Sequence, residues 1–316
     1  MVVGRRLILA AGAALASALW VANPVGAQPF MQGPEKCKEC HEAEFKVWEG
    51  TRHFTSFREV HKSDKAKDIT AAVGGDKNMK KNEVCTQCHY SLVQKDAGAA
   101  AKADAGPSCE SCHGASSDWF PIHNDYGGKD VKRADETAEH RAARYADAHA
   151  AGLLWPDMRY DVALNCMSCH GLDRANVDGE TLAKMLAAGH PLKPEFELVQ
   201  YSQGSVRHRF YPSDFTVNQE LDAAGLAELF VQGAAAKLVT ASAALAKSSD
   251  AGYQAAQQKR IDMARAAIEA LGAMAEAQAL LADPSDANAR ALVAAIAGQD
   301  LTAQVGSLLP GSASYK

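Results

Sequence analysis

The chain has 316 residues, 33 of them basic and 38 acidic, with 47% hydrophobic types but only 7% aromatic. That length suits one large domain or two modest ones, and the acidic excess argues against a nucleic-acid binder. The shortage of aromatic bulk implies that something besides side chains fills part of the interior.

Arg5 and Arg6 precede an apolar stretch over residues 7–21, and Val25-Gly26-Ala27 has the form of a signal-peptidase site. Residues 1–27 therefore read as a Sec-type signal peptide, with Gln28 as the mature N-terminus and a periplasmic destination. A membrane anchor is the competing reading, but the run is short for the roughly 20 residues a span needs. No other segment reads as a span. Removing the leader leaves 31 basic and 38 acidic residues, a balance of −7. Such a protein suits a redox partner with a basic patch.

Eight cysteines in an exported chain point by default to disulfides. Their spacing points elsewhere. All eight fall into four Cys-x-x-Cys-His motifs: Cys37-Cys40-His41, Cys85-Cys88-His89, Cys109-Cys112-His113 and Cys166-Cys169-His170. Two thiols so spaced reach the two vinyl groups on one porphyrin edge, and the adjacent histidine then binds the iron. Structural zinc is the alternative use of paired Cys-x-x-Cys knuckles, but zinc gives no reason for a histidine after every second cysteine. Four covalent haems c would also supply the missing apolar bulk. The chain without them is expected to be largely unfolded, which fits export before folding.

Seven further histidines remain: His53, His61, His123, His140, His149, His190 and His208. A second imidazole on each iron makes a low-spin electron-transfer centre, whereas an open position admits a substrate. Residues 42–60 read as one helix with Phe45, Trp48, Arg52 and Thr55 at three- to four-residue steps. His53 lies on it, too near His41 to fold back onto the same iron, so it is expected to cap a different haem. His123 sits in a loop beside Trp119, Phe120 and Tyr126, and His190 is followed by the stiffening Pro191. His208 lies between Arg207 and Arg209, which could instead pair with haem propionates. His61, among lysines, and His140 and His149, on a charged helix, read as solvated.

The stretch "KCKECHEAEFKVWEGTRHFTSF" resembles the N-terminal signature of the cytochrome c-554 family, tetrahaem carriers that accept electrons from hydroxylamine oxidoreductase. "VCTQCHY", "GPSCESCHGASSDWFPIHND" and "NCMSCHGL" resemble the family's later motifs, so the likeness covers about residues 34–210. It implies that His53 caps the haem held by His113 and that His123 caps the haem held by His41. It also implies that His190 or His208, with His190 favoured, caps the haem held by His170. The haem held by His89 is five-coordinate in the family's best-known form and bis-histidine in some relatives. The C-terminal hundred residues lie outside this likeness. They are loosely similar to the alanine-rich helical ends of other multihaem cytochrome c proteins carrying a Gly-His-Pro element.

The organisation read from these features is mainly α. A loop-rich tetrahaem domain over residues 28–214 is organised around its haems, with residues 96–106 as a flexible insertion and "FYPSDF" as its boundary. An alanine-rich helical domain without haem ligands follows over residues 215–316. Residues 221–247 and 251–281 read as two helices, the second with Tyr253, Gln257, Ile261, Ala264, Ile268 and Leu271 at heptad-like spacing. A third helix follows, capped by Asp286, with Leu292, Val293 and Ile296 turned inward. This hairpin with an added helix either covers a haem face or offers a docking or oligomerising surface.

The leading functional reading is a periplasmic electron carrier between redox partners, with no catalytic residues. A redox enzyme acting on hydroxylamine, nitric oxide or nitrite at a five-coordinate second haem is the alternative, and a haem-filament subunit is the third reading.

Overall fold

The computed structural model describes residues 28–209 and 216–316; the proposed leader and the "FYPSDF" boundary lie outside the described residues. The architecture is mainly helical. One small ribbon pairs Ser91–Val93 with Lys102–Ala105 in antiparallel fashion. Part of the supposed flexible insertion thus carries a strand, because its backbone can satisfy its hydrogen bonds against residues 91–93.

Short polar caps set the helices that carry the motifs. Asn82, 1% exposed, accepts from the backbone N–H groups of Val84 and Cys85 and so starts the second-motif helix, Glu83–His89. The third-motif helix, Cys109–His113, starts at Ser108, whose N–H donates to Ser111 Oγ at 3.1 Å and to Ser91 Oγ at 3.1 Å. Ser91 and Ser108 are buried, so this serine cluster welds the ribbon to the third motif.

Residues 42–60 form two α-helices rather than one, Glu42–Glu49 and Arg52–Glu59. Gly50 ends the first. Thr51 Oγ1 then accepts from Phe54 N at 3.2 Å and caps the second. Trp48 Nε1 donates to Pro107 O at 2.9 Å, tying this corner to the third motif. Gly106 meets the turn that carries His53, and a Cβ there would lie 2.0 Å from His53 O, so only glycine permits the approach.

Residues 251–281 likewise divide, into Ala251–Glu269 and Ala275–Ala282. Gly272 lies between them with φ 65°, in the left-handed region. The heptad-spaced residues of the first are buried as its pattern predicts, and Arg260 joins them. The Asp286–Ile296 helix is capped by Ser285 rather than Asp286. Asp286 sits one residue inside, where it accepts from Arg290 Nε at 2.8 Å and Tyr160 Oη at 3.0 Å.

The largest core joins the two halves of the chain. Tyr160, Ala163 and Met167 of the fourth-motif helix, Arg159–His170, pack with Leu229, Ala235 and Leu238 of the Ala223–Ala244 helix. The run Gly233-Ala234-Ala235-Ala236 keeps that helix thin, so neighbouring backbones approach closely. Ala223–Lys247, which does not read as a span in the sequence, could cross a bilayer by length and composition. Here it is the buried central helix of this core.

Candidate metal centres

Each motif histidine faces one of the spare histidines. His41 faces His123 with ring centroids 6.4 Å apart, His89 faces His190 at 5.9 Å, His113 faces His208 at 6.2 Å, and His170 faces His53 at 6.2 Å. An imidazole nitrogen binds a first-row metal ion at about 2 Å, and the ring centroid lies about 1.1 Å beyond it, so two trans imidazoles have centroids about 6.2 Å apart. All four pairs sit at that spacing. Among the described residues no cluster of three or more His, Cys, Asp or Glu could hold a metal ion. A haem at each pair would be held by the two facing imidazoles, with its ring anchored by the paired thiols beside them.

Hydrogen bonding selects the coordinating nitrogen. Nδ1 of His113 donates to Leu154 O at 2.8 Å, His123 to Phe120 O at 2.7 Å, His190 to Pro191 O at 2.9 Å and His208 to Val206 O at 3.0 Å. A carbonyl only accepts, so Nδ1 carries the proton and Nε2 keeps its lone pair for a metal. Burial pushes His89, His113 and His170 down to about 4. It also lowers His53, His123, His190 and His208. The imidazoles are therefore held neutral, the form a metal requires.

Two of the three pairings the family resemblance implies differ here, and His190 fills the position it left open at His89. His53 meets His170, not His113, and His190 meets His89, not His170. The reason lies in tertiary contacts. Arg209 pairs with Glu44 on the helix after the first motif, its Nη2 donating at 3.1 Å, and this brings His208 against His113. Arg207 Nε donates to Asn218 Oδ1 at 3.2 Å. Burial pushes the Glu44 carboxyl up, but His41 and Arg209 outweigh it and hold it at about 2. His190 N donates to Met185 O at 2.9 Å, which carries its ring to the second motif. His123 faces His41, the pairing the resemblance implies.

The other three histidines meet no motif histidine. His140 is not simply solvated: its Nδ1 lies 2.9 Å from Glu136 Oε1. His149 is exposed, with Nδ1 bonded to Leu153 O at 3.1 Å. His61 Nδ1 is buried without a partner.

The second motif opens on a cleft of about 200 Å³, partly continuous with solvent. Cys85, Cys88, His89 and His190 line it, and Ile69, Val73, Leu182 and Met185 give it apolar walls. The apolar walls and the donor set fit a thioether-linked haem. Arg174 also lines it, and its buried Nε has no partner. Arg174 is not among the candidate site residues of the sequence, because only the folded chain brings it to the cleft, where it could donate to an acidic group of a bound haem.

The motifs are themselves neighbours. Cys37 meets Cys109, Cys88 meets Cys169, and Cys112 lies near Cys166 and Cys169. Asn165 Nδ2 donates to Cys112 O at 3.1 Å, locking the third motif to the fourth. Contact therefore runs first, third, fourth, second. Phe196 stacks on His170 at 4.0 Å and 13°, and Tyr201 on Phe196 at 4.7 Å, which fixes the ring plane at the fourth motif.

Residues 36–114 match the family model described as cytochrome c554 and c-prime. The match spans the first three motifs and supports a c-type cytochrome with covalently bound haem, of the kind that transfers electrons. Neither the curated proteins nor the solved structures include a match.

Proposed function

We propose that this chain is an exported, periplasmic tetrahaem electron carrier, in which every iron has two axial histidines. The observation that carries the reading is the set of four histidine pairs at trans-imidazole spacing, each beside a Cys-x-x-Cys pair. Haem iron supplies reversible one-electron exchange when bound. The chain's own residues anchor the four rings, orient the imidazoles through carbonyl hydrogen bonds and exclude water from the buried pairs. The order of motif contacts supports a linear path for electrons from the first site through the third and fourth to the second. Its ends would meet separate redox protein partners.

The alternative, chemistry on a small nitrogen compound at an open second iron, is disfavoured by His190, which occupies the position opposite His89. Electron paramagnetic resonance of the oxidised holoprotein separates the two readings. Four low-spin ferric haems, counted against pyridine haemochrome, are expected. A high-spin ferric centre in the intact protein would refute the bis-histidine reading and revive the enzyme.

A further inference from the structure

The C-terminal helices touch the fourth site through one face of the Ala251–Glu269 helix. Tyr253 Oη donates to Leu172 O at 3.1 Å and Gln257 Nε2 to Gly171 O at 2.8 Å. Arg260 reaches Met167 Sδ at 3.4 Å, inside the Cys166-x-x-Cys169 motif. Spaced four and three residues apart, these side chains lie on one helical stripe. Together they grip the turn that directly follows His170. The fit leaves no slack: a Cβ on Gly171 would lie 2.3 Å from Arg260 Nη1.

Arg260 is 1% exposed, and its partners are all neutral: Gln257 Oε1 at 2.6 Å, Thr240 Oγ1 at 3.2 Å and Met167 Sδ. Among the described residues it makes no salt bridge. Asp173, the carboxylate acting on it, is engaged by Lys247 at 3.2 Å. The other buried cation nearby, Lys237, has Glu197 and Glu195 acting on it. Arginine cannot shed its proton in a protein, so a full positive charge stays at this position, where a buried cation without an anion is costly. The nearest compensation is the carbonyl end of the fourth-motif helix, which carries only a partial negative charge. The guanidinium packs directly against Gly171, the residue that follows His170.

We infer that the C-terminal helices are the electrostatic support of the fourth site, with Arg260 as a positioning residue whose uncompensated charge raises the reduction potential there. The inference rests on the tetrahaem reading. Reduction places one more electron on the site, and a fixed cation in a poorly screened interior favours the reduced form. The extra hundred residues thereby bias where an electron rests along the chain of sites.

The test is spectropotentiometric titration of the holoprotein and of R260Q, R260M and R260K, after pyridine haemochrome has established four haems in each. R260Q and R260M are expected to lower the potential of one haem by a tenfold change in its reduction equilibrium, about 59 mV for one electron. The other three should hold, all four should stay low-spin, and R260K should restore most of the loss. Unchanged potentials in R260Q, or an equal fall in R260K and R260M, would overturn the inference. Should the Arg260 variants fail to fold, T240D sets a carboxylate beside the retained guanidinium, with T240V as the uncharged control. A fall in T240D alone supports the charge, and identical potentials in the two refute it. A wild-type protein with fewer than four haems would instead refute the underlying reading.

Discussion

Replacing Arg144 with methionine probes how the protein holds the partner of its first motif. Arg144 and Glu136 are each 6% exposed and form a two-pronged pair, Nε to Oε1 and Nη2 to Oε2, both at 2.7 Å. The third prong, Nη1, donates to His123 O at 2.7 Å, so the same guanidinium fixes the backbone of the histidine opposite His41. Removing one member of a buried pair costs about 3–5 kcal/mol, because the other charge stays buried. Here His140 remains 2.9 Å and the exposed Arg141 3.7 Å from the Glu136 carboxylate, so the lower end, about 3 kcal/mol, is expected. Replacing both residues, E136M/R144M, should cost about 1 kcal/mol, mainly the lost bond to His123 O. E136M strands the buried guanidinium and should also cost about 3 kcal/mol, so the cycle predicts a coupling of about 5 kcal/mol in magnitude. Hydrogen bonds from Arg144 hold the Glu136 carboxyl at about 2 against an ordinary 4.5. A depressed carboxyl stabilises the fold above its unfolded value, and that contribution disappears as pH falls from 4.5 towards 2. The gap between wild type and R144M should narrow over the same window. The assay is guanidinium unfolding of the holoproteins followed by far-ultraviolet circular dichroism. A loss under about 1 kcal/mol in R144M, or strictly additive single effects, would refute the reasoning.

In H53A one haem should become high-spin, and the hyperfine-shifted proton resonances should come from Phe196 beside His170; shifts centred on Leu154, which binds His113, would contradict the pairing seen here. Glu110, 2% exposed, accepts from the N–H groups of Gln32, Gly33 and Ser116, so E110A should destabilise the fold by about 3 kcal/mol. Amide exchange at those three residues should accelerate in that variant, and unchanged protection would count against the link. Lys237 is lowered to about 8 by burial, so the folded chain binds fewer protons than the unfolded one between pH 8 and 10.5. Stability should therefore rise with pH across that window, by at most about 3 kcal/mol, and the rise should vanish in K237M. An equal rise in both proteins would assign it to another group.

The thiols and first histidine of each site are legible in the sequence because thioether attachment needs them within one turn of chain. The histidines that come to face the motif histidines, His53, His123, His190 and His208, are the ones the sequence singles out as candidates, with His140 and His149 set aside on a charged helix. Which meets which is not legible. An imidazole reaches its partner from a distant segment, so the choice falls to contacts such as Arg209 with Glu44, Gly106 with His53 O, and His190 N with Met185 O. Helical periodicity located the buried face of residues 251–281 but not its break, and in residues 42–60 it found only Phe45 among the buried positions and missed the break there too. The breaks depend on a cap at Thr51 and a left-handed Gly272, single-residue events that a hydrophobic repeat does not register. The heptad pattern counted Gln257 as a core position and passed over Arg260. Only the fold brings both against the turn after His170, because burying a polar side chain is worthwhile only where a partner across the interface receives it.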